Sequence, residues 1–160
     1  MEQAEYICAV QRNSQRLFLL ALSFTHSHAD AEDILQDVFC KLWQQTKPFE
    51  NDTHIDKFLT RVCVNACRNH LRTLSRRREV PPEDAMQLYT FDTPADYDLF
   101  CAVASLPTRE RTVVHLFYYE DMPVKEIAQT LRIGQSAVKT ALCRARNHLK
   151  DHLKEDETHA

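Results

Sequence analysis

The chain has 160 residues, 44% hydrophobic and 27% charged, with a net charge of −3. A single glycine, no hairpin dipeptides and apolar residues recurring at three- and four-residue steps exclude a sheet-based fold and leave an all-α protein. The small net charge hides a strong segregation: residues 53–78 carry seven Lys/Arg against one acid, 122–154 carry seven against two, and 79–98 hold six acids and no base.

The first predicted helix covers residues 2–24 and turns Tyr6, Val10, Leu17 and Leu20 or Ala21 inward. Its apolar run at 17–22 is far too short to span a bilayer, and no cleavage-site pattern follows it, so the expected location is the cytoplasm. A break at 25–29 offers Ser27 or Asp30 as the cap of a second helix, 30–46, whose positive N-terminus suits Glu32 and Asp33. That helix carries Ile34, Leu35, Val38, Phe39, Leu42 and Trp43 on its apolar side and Asp33, Gln36, Asp37, Lys41 and Gln44 on the other. Pro48 marks its end.

A third helix, 56–75, is expected to bury Phe58, Leu59, Val62, Ala66 and Leu71, with Arg61, Arg68, Asn69, Arg72 and Arg76 on its remaining surface. Pro81, Pro82 and Pro94 and the surrounding acids make 79–95 a linker that cannot continue a helix. The division is then a basic first domain, 1–78, the acidic linker to 96, a second domain, 97–154, and an acidic tail, 155–160.

The second domain reads as helices at 97–105, 108–119, 124–131 and 135–153, with Pro107 and Pro123 at helix starts, where a missing N–H is harmless. In the last of these, Val138, Leu142, Ala145 and Leu149 recur at steps of four, three and four and must face the core. The outward face is then Ser136, Lys139, Thr140, Cys143 and Asn147, flanked by Arg144 and Arg146. Residues 122–153 thus have the plan of a helix-turn-helix whose second helix can lie in the major groove of DNA. Two cationic blocks around an anionic strip are the electrostatic footprint of phosphate binding, although solvated helix faces look alike.

Cys8, Cys40, Cys63, Cys67, Cys101 and Cys143 lack the regular spacing of a secreted disulfide framework and fit a reducing compartment. Cys63, Cys67 and His70 fall on one helix side, but structural zinc usually needs four ligands, so no metal or cofactor is expected. No nucleophile motif, paired carboxylates or phosphate-cradling glycine loop points to an enzyme.

Three segments carry a family resemblance: DAEDILQDVFCKLW at 30–43, FLTRVCVNACRNHLRTLSRRR at 58–78, and LPTRERTVVHLFYYEDMPVKEIAQTL at 106–131 continuing into IGQSAVKTALCRAR. In their order and spacing the chain resembles the extracytoplasmic-function group of sigma-70 factors, which direct bacterial RNA polymerase to promoters. The resemblance implies that Asp33, Gln36, Asp37, Lys41 and Trp43 dock on the clamp coiled coil of the large polymerase subunit, with the flap region as a further contact. It implies that Arg61, Asn65, Arg68, Asn69, Arg72, Arg76, Arg77 and Arg78 face the minus-ten element and its melted strand.

The loop 47–54 matches the family's loop for a flipped-out base, with Phe49 and Asn51 as its readers; Phe49 also fits as a plug closing the bundle. Gln135, Ser136, Lys139, Thr140, Arg144 and Arg146 are implied to read and anchor the minus-thirty-five duplex. An anti-sigma partner is implied as well, with membrane contact only through it. The chain departs from the family at Arg132, where the turn usually has glycine, so a non-glycine residue is expected at positive φ. Gly134 replaces a common serine cap, Ala137 a threonine, Asn69 an aspartate and Ala141 an arginine. A stand-alone helix-turn-helix regulator would account for the second domain but would leave the acidic second helix and basic third helix without a task.

Overall fold

In the computed structural model the described backbone covers residues 1–77 and 94–158, with side chains described over 1–73 and 96–152. Arg78 and the predicted linker up to residue 93 lie outside the described residues, as do the side chains of Arg76 and Arg77. The chain divides into two units between Thr90 and Phe91, and every described element is a helix.

The first unit contains α1 (Gln3–Thr25), α2 (His28–Trp43) and α3 (Asp52–Arg77). α1 ends where His26 turns left-handed at φ 54° and its N–H closes on Leu22 O at 2.9 Å. Ser27 then caps α2, its hydroxyl accepting from the Asp30 N–H at 3.3 Å. Leu17, Leu20, Ala21, Leu22 and Phe24 of α1 pack with Ala31, Ile34, Val38 and Leu42 of α2 and with α3. The last turn of α1 is buried on all sides, so its polar side chains turn to the backbone: Ser23 Oγ donates to Leu20 O at 3.1 Å and Thr25 Oγ1 to Ala21 O at 2.9 Å. This satisfies hydroxyls that would otherwise be costly to bury.

Two expectations are corrected here. α3 buries Ile55, Leu59, Cys63, Val64 and Cys67, while Phe58, Val62, Ala66 and Leu71 are only half-buried. The helix is rotated toward its cysteines, which pack as small apolar groups. α2 ends at Trp43 rather than at 46, and that tryptophan is 53% exposed instead of belonging to the apolar stripe.

A polar seam joins α1 to α3. Arg12 forks onto Asp56, with Nε–Oδ1 at 3.1 Å and Nη2–Oδ1 at 2.8 Å, and reaches Asp52 at 3.4 Å. Asn13, 1% exposed, donates to Asp56 Oδ1 and Ala9 O, both at 2.8 Å, and accepts from Arg16 Nη2 at 2.6 Å. Arg16 Nη1 donates to Thr60 Oγ1 at 2.8 Å. Burial pulls the Asp56 carboxyl upward, but the hydrogen bonds from Arg12 and Asn13, with the charges of Arg12 and Arg16, outweigh it and hold it below the ordinary carboxylate range.

The second unit contains α4 (Pro94–Ala104), α5 (Thr108–Val114), a π-helical turn (His115–Tyr119), α6 (Val124–Leu131) and α7 (Gln135–Thr158). The expected single helix at 108–119 is therefore two pieces, α4 starts inside the predicted linker, and α7 takes up residues expected in the acidic tail. Val103, Leu106, Val114 and Ala145 form a core that Leu149 flanks. Arg111 is buried and closes the C-terminus of α4, its Nη1 donating to Ala104 O at 2.7 Å and Leu106 O at 3.2 Å. Ala104 is the last residue of α4 and Leu106 lies just beyond it, so the guanidinium supplies donors to carbonyls at the helix end. Beside it, desolvation and then the Arg111 charge push the buried His115 imidazole down to about 3. Among the described residues no helix is long and apolar enough to cross a membrane.

Candidate nucleic-acid interface

α6 and α7 enclose a three-residue turn, and the positive φ expected at Arg132 is found, at φ 56° and ψ 44°. The Ile133 N–H closes on Ala128 O at 3.1 Å, the six-residue closure that ends a helix on a left-handed residue. The chain's one glycine, Gly134, does not take a positive φ, and a Cβ there would meet nothing within 4 Å. The position is open to a capping side chain that this sequence does not supply.

α7 then takes the rotation its apolar stripe requires. Val138, Ala141, Leu142 and Ala145 are buried, Leu149 is half-buried, and Gln135, Ser136, Lys139, Thr140, Cys143, Arg144, Arg146 and Asn147 are all exposed. Short polar side chains along the middle of this face permit close approach to base edges, and the cations flank them. Arg146 is the one cation of the set with a described tether: its Nε donates to Tyr118 Oη at 2.6 Å.

On α3, Arg61, Asn65, Arg68 and Arg72 fall at steps of four, three and four, one stripe opposite the buried side. Arg61, Asn65 and Arg72 are exposed and Arg68 is half-buried. Asn69 leaves this stripe. It lines a groove of about 310 Å³ between α3 and α2, together with Asp30, Asp33, Asp37, Lys41 and His70. His70 Nε2 stands 3.3 Å from Asp30 Oδ2 at that groove.

The outer face of α2 exposes Asp33, Gln36, Asp37, Lys41 and Trp43. Trp43 is held edge-on to Tyr6 of α1, with centroids 5.0 Å apart, and the Tyr6 hydroxyl donates to Phe39 O at 3.3 Å. An apolar ring is thus kept at the surface at the C-terminal end of α2. In the loop before α3, Phe49 is half-buried edge-on against Phe58 at 5.3 Å and His54 at 5.2 Å. Asn51 caps α3, its Oδ1 accepting from the His54 N–H at 2.9 Å. Both residues are therefore at least partly occupied in shaping the loop.

Cys63 and Cys67 are fully buried, and the Cys63 thiol points at Leu17 O at 3.9 Å. Among the described residues no group of three or more His, Cys, Asp or Glu is placed to hold a metal ion.

Residues 9–77 match the family model of sigma-70 region 2, and residues 98–149 that of sigma-70 region 4. RNA polymerase sigma factor SigV of Bacillus subtilis is 26% identical over 157 residues, covering 97% of this chain and 95% of the relative. The RNA polymerase sigma-E factor of Streptomyces coelicolor is 29% identical over 158 residues, covering 96% and 86%. ECF RNA polymerase sigma factor SigE of Mycolicibacterium smegmatis is 28% identical over 155 residues; the match takes in 90% of this chain and 60% of that longer protein. Among solved structures, the sigma factor RpoE of Bartonella quintana, crystallised with the anti-sigma factor NepR, superposes with a TM-score of 0.63 at 21% identity, covering 94% of this chain and 97% of that one. CnrH in complex with the cytosolic domain of CnrY gives 0.62 at 24% identity, covering 97% and 91%. These two likenesses concern the fold.

Proposed function

The chain belongs to the extracytoplasmic-function group of the sigma-70 family, and from that premise we propose how its surfaces divide the work of promoter-specific initiation. It is an RNA polymerase sigma factor: it joins core polymerase, brings it to a promoter and helps open the duplex. The action is one of binding, and no residue is given a catalytic role.

The exposed side of α2 is the polymerase-docking surface. Asp33 and Asp37 meet a basic partner face, Lys41 and Gln36 border it, and Trp43, prealigned by Tyr6, supplies a desolvating anchor of the kind that dominates interfaces. The stripe Arg61, Asn65, Arg68 and Arg72 tracks the separated strand at the minus-ten element, and the resemblance assigns Arg76 and Arg77 to the same task. Guanidinium groups neutralise phosphate and stack on bases, and amides bond base edges. Phe49 and Asn51 form the wall and rim of the pocket for a flipped base, while Asn69 lies at the edge shared with the docking groove.

α7 enters the major groove at the minus-thirty-five element. Gln135, Ser136, Lys139 and Thr140 approach base edges there, and Arg144 and Arg146 reach phosphates on the two flanks. The domain limits follow as 1–78 for polymerase docking and melting and 97–154 for duplex recognition, with 79–96 between them. The cytoplasm, where polymerase acts, is the proposed location. The solved sigma factor RpoE of the same fold carries the anti-sigma factor NepR, and a partner of that class is proposed to hold this chain inactive.

One observation carries the reading: both family regions occur in order on separate helical units, each with a cationic face opposite its core. Mixing the full chain with core polymerase and a promoter fragment tests it. The expected result is a stable complex with core and promoter-dependent run-off transcripts. Tight binding of duplex DNA by the chain alone, unchanged by polymerase, would instead establish a stand-alone regulator.

A further inference from the structure

After α5 the backbone widens into the π-helical turn, closed by the Glu120 N–H on His115 O at 3.1 Å. An inserted residue of this kind displaces the side chains that follow it, and such turns recur at functional sites. The three consecutive aromatic residues Phe117, Tyr118 and Tyr119 lie in this turn, and Tyr118 and Tyr119 are about half-exposed. The family reading gives them no task.

Tyr118 reaches across to α7. Its hydroxyl accepts from Arg146 Nε at 2.6 Å, and the guanidinium carbon lies 5.7 Å from the Tyr118 ring centroid and 5.9 Å from that of Phe117. A guanidinium bound at Nε and held over two rings has lost most of its rotational freedom, yet the residue is exposed and its two terminal nitrogens carry N–H groups that the Tyr118 bond does not use. The Tyr118 oxygen, having accepted one hydrogen bond, still has its own proton to donate. The pair therefore presents an oriented fork of donors with one positive charge.

Its place on the helix says what the fork meets. Arg146 follows Lys139 by seven residues, about 10 Å along the same edge of α7. It is off the centre of the exposed face, where Ser136, Thr140, Cys143 and Asn147 stand. A donor fork at the edge of a groove-binding helix meets the sugar-phosphate backbone rather than the bases, and charge-assisted bidentate contact with phosphate is what this geometry suits. We propose that Tyr118 is a positioning residue that holds Arg146 as a backbone-phosphate clamp beside the minus-thirty-five duplex; the inference rests on the sigma-factor reading above.

The test is promoter affinity of holoenzyme, reconstituted from core polymerase and the full chain, titrated across salt concentrations. Arg146→Ala is expected to weaken binding about fivefold and to make the log–log salt dependence shallower by about 1, the signature of one lost phosphate contact. Tyr118→Phe retains the ring stack and loses only the hydroxyl. It should give most of the same loss, about threefold, with an unchanged thermal midpoint, and the double variant should be no worse than Arg146→Ala alone. Arg146→Lys should not restore affinity, because an ammonium cannot be held at Nε while offering a fork. All these losses should be the same on promoters substituted in the minus-thirty-five bases.

Wild-type affinity and salt dependence in Tyr118→Phe, multiplication of the two effects in the double variant, or a loss that depends on the bases would each overturn the clamp. If wild-type holoenzyme itself fails to form or to bind promoter, the sigma-factor reading falls, and the clamp with it.

Discussion

α3 and α7 both offer a cationic face to nucleic acid, but they are fastened to their units by different physics. α3 is tied to α1 through a charged seam, Arg12, Asn13 and Arg16 against Asp52, Asp56 and Thr60, beneath which its cysteines fill the core. α7 is seated on an aliphatic stripe and secured near its far end by His148 on Glu110 at 2.6 Å and Arg146 on Tyr118 at 2.6 Å. The lesson is that similar outward chemistry can rest on supports that fail under different conditions. The first unit holds an ionised carboxylate, Asp56, in its seam, and the second encloses the buried imidazole of His115.

That contrast can be broken at several points, beginning with the core. Leu59→Ala in the buried line of α3 is expected to destabilise the first unit by about 3 kcal/mol, whereas Val62→Ala on its half-buried flank should lose less than about 1 kcal/mol. Urea unfolding followed through Trp43, the chain's one tryptophan, reads the first unit alone. Equal effects would mean that α3 is rotated otherwise. Next in size is the seam: Asp56→Ala leaves the buried Asn13 amide and the Arg12 fork without their shared acceptor, a loss of about 2 kcal/mol by the same fluorescence assay.

Acid separates the two units. The unfolded chain protonates His115 near 6.5, but the folded chain resists until about 3. From pH 6.5 downward the unfolded state of the second unit therefore binds the extra proton, and its stability falls by about 1.4 kcal/mol per pH unit. Asp56 acts in the opposite region: its depressed value contributes stability above about pH 4, lost only as pH falls toward the folded value. Hydrogen exchange at pH 7 and 5.5 should show faster opening in residues 108–152 and little change in residues 3–73. The smallest effect is expected at the turn, where Arg132→Gly removes the left-handed strain and raises the thermal midpoint of the second unit, a gain of about 1 kcal/mol.

How far the sequence revealed these features depended on how local they were. The rotation of α7 is legible because Val138, Leu142 and Ala145 can only be core, and the φ of Arg132 because the family resemblance puts that residue where the turn usually has glycine. α3 is harder to orient: Cys63 and Cys67 read mainly as small apolar side chains and only secondarily as a redox or metal pair, yet the larger Phe58 and Val62 outweigh them when the stripe is placed. The α1–α3 seam joins residues 40 or more positions apart, and no periodicity announces it. The same holds for Tyr118 and Arg146, separated by 28 positions, and for a π turn whose spacing matches no helical repeat. The outward basic residues were found because they are what remains once an apolar stripe is placed.

The central claim is that two separate surfaces handle melted and duplex DNA for the polymerase. Permanganate reactivity of minus-ten thymines, measured together with nuclease protection of the minus-thirty-five duplex on one promoter, tests it most directly. With core polymerase and the wild-type chain, thymines should become reactive and the upstream duplex protected. Joint replacement of Arg61, Asn65 and Arg72 by alanine should abolish the reactivity while leaving the protection. Reactivity that does not require the chain, or protection that disappears along with it in that variant, would contradict the account.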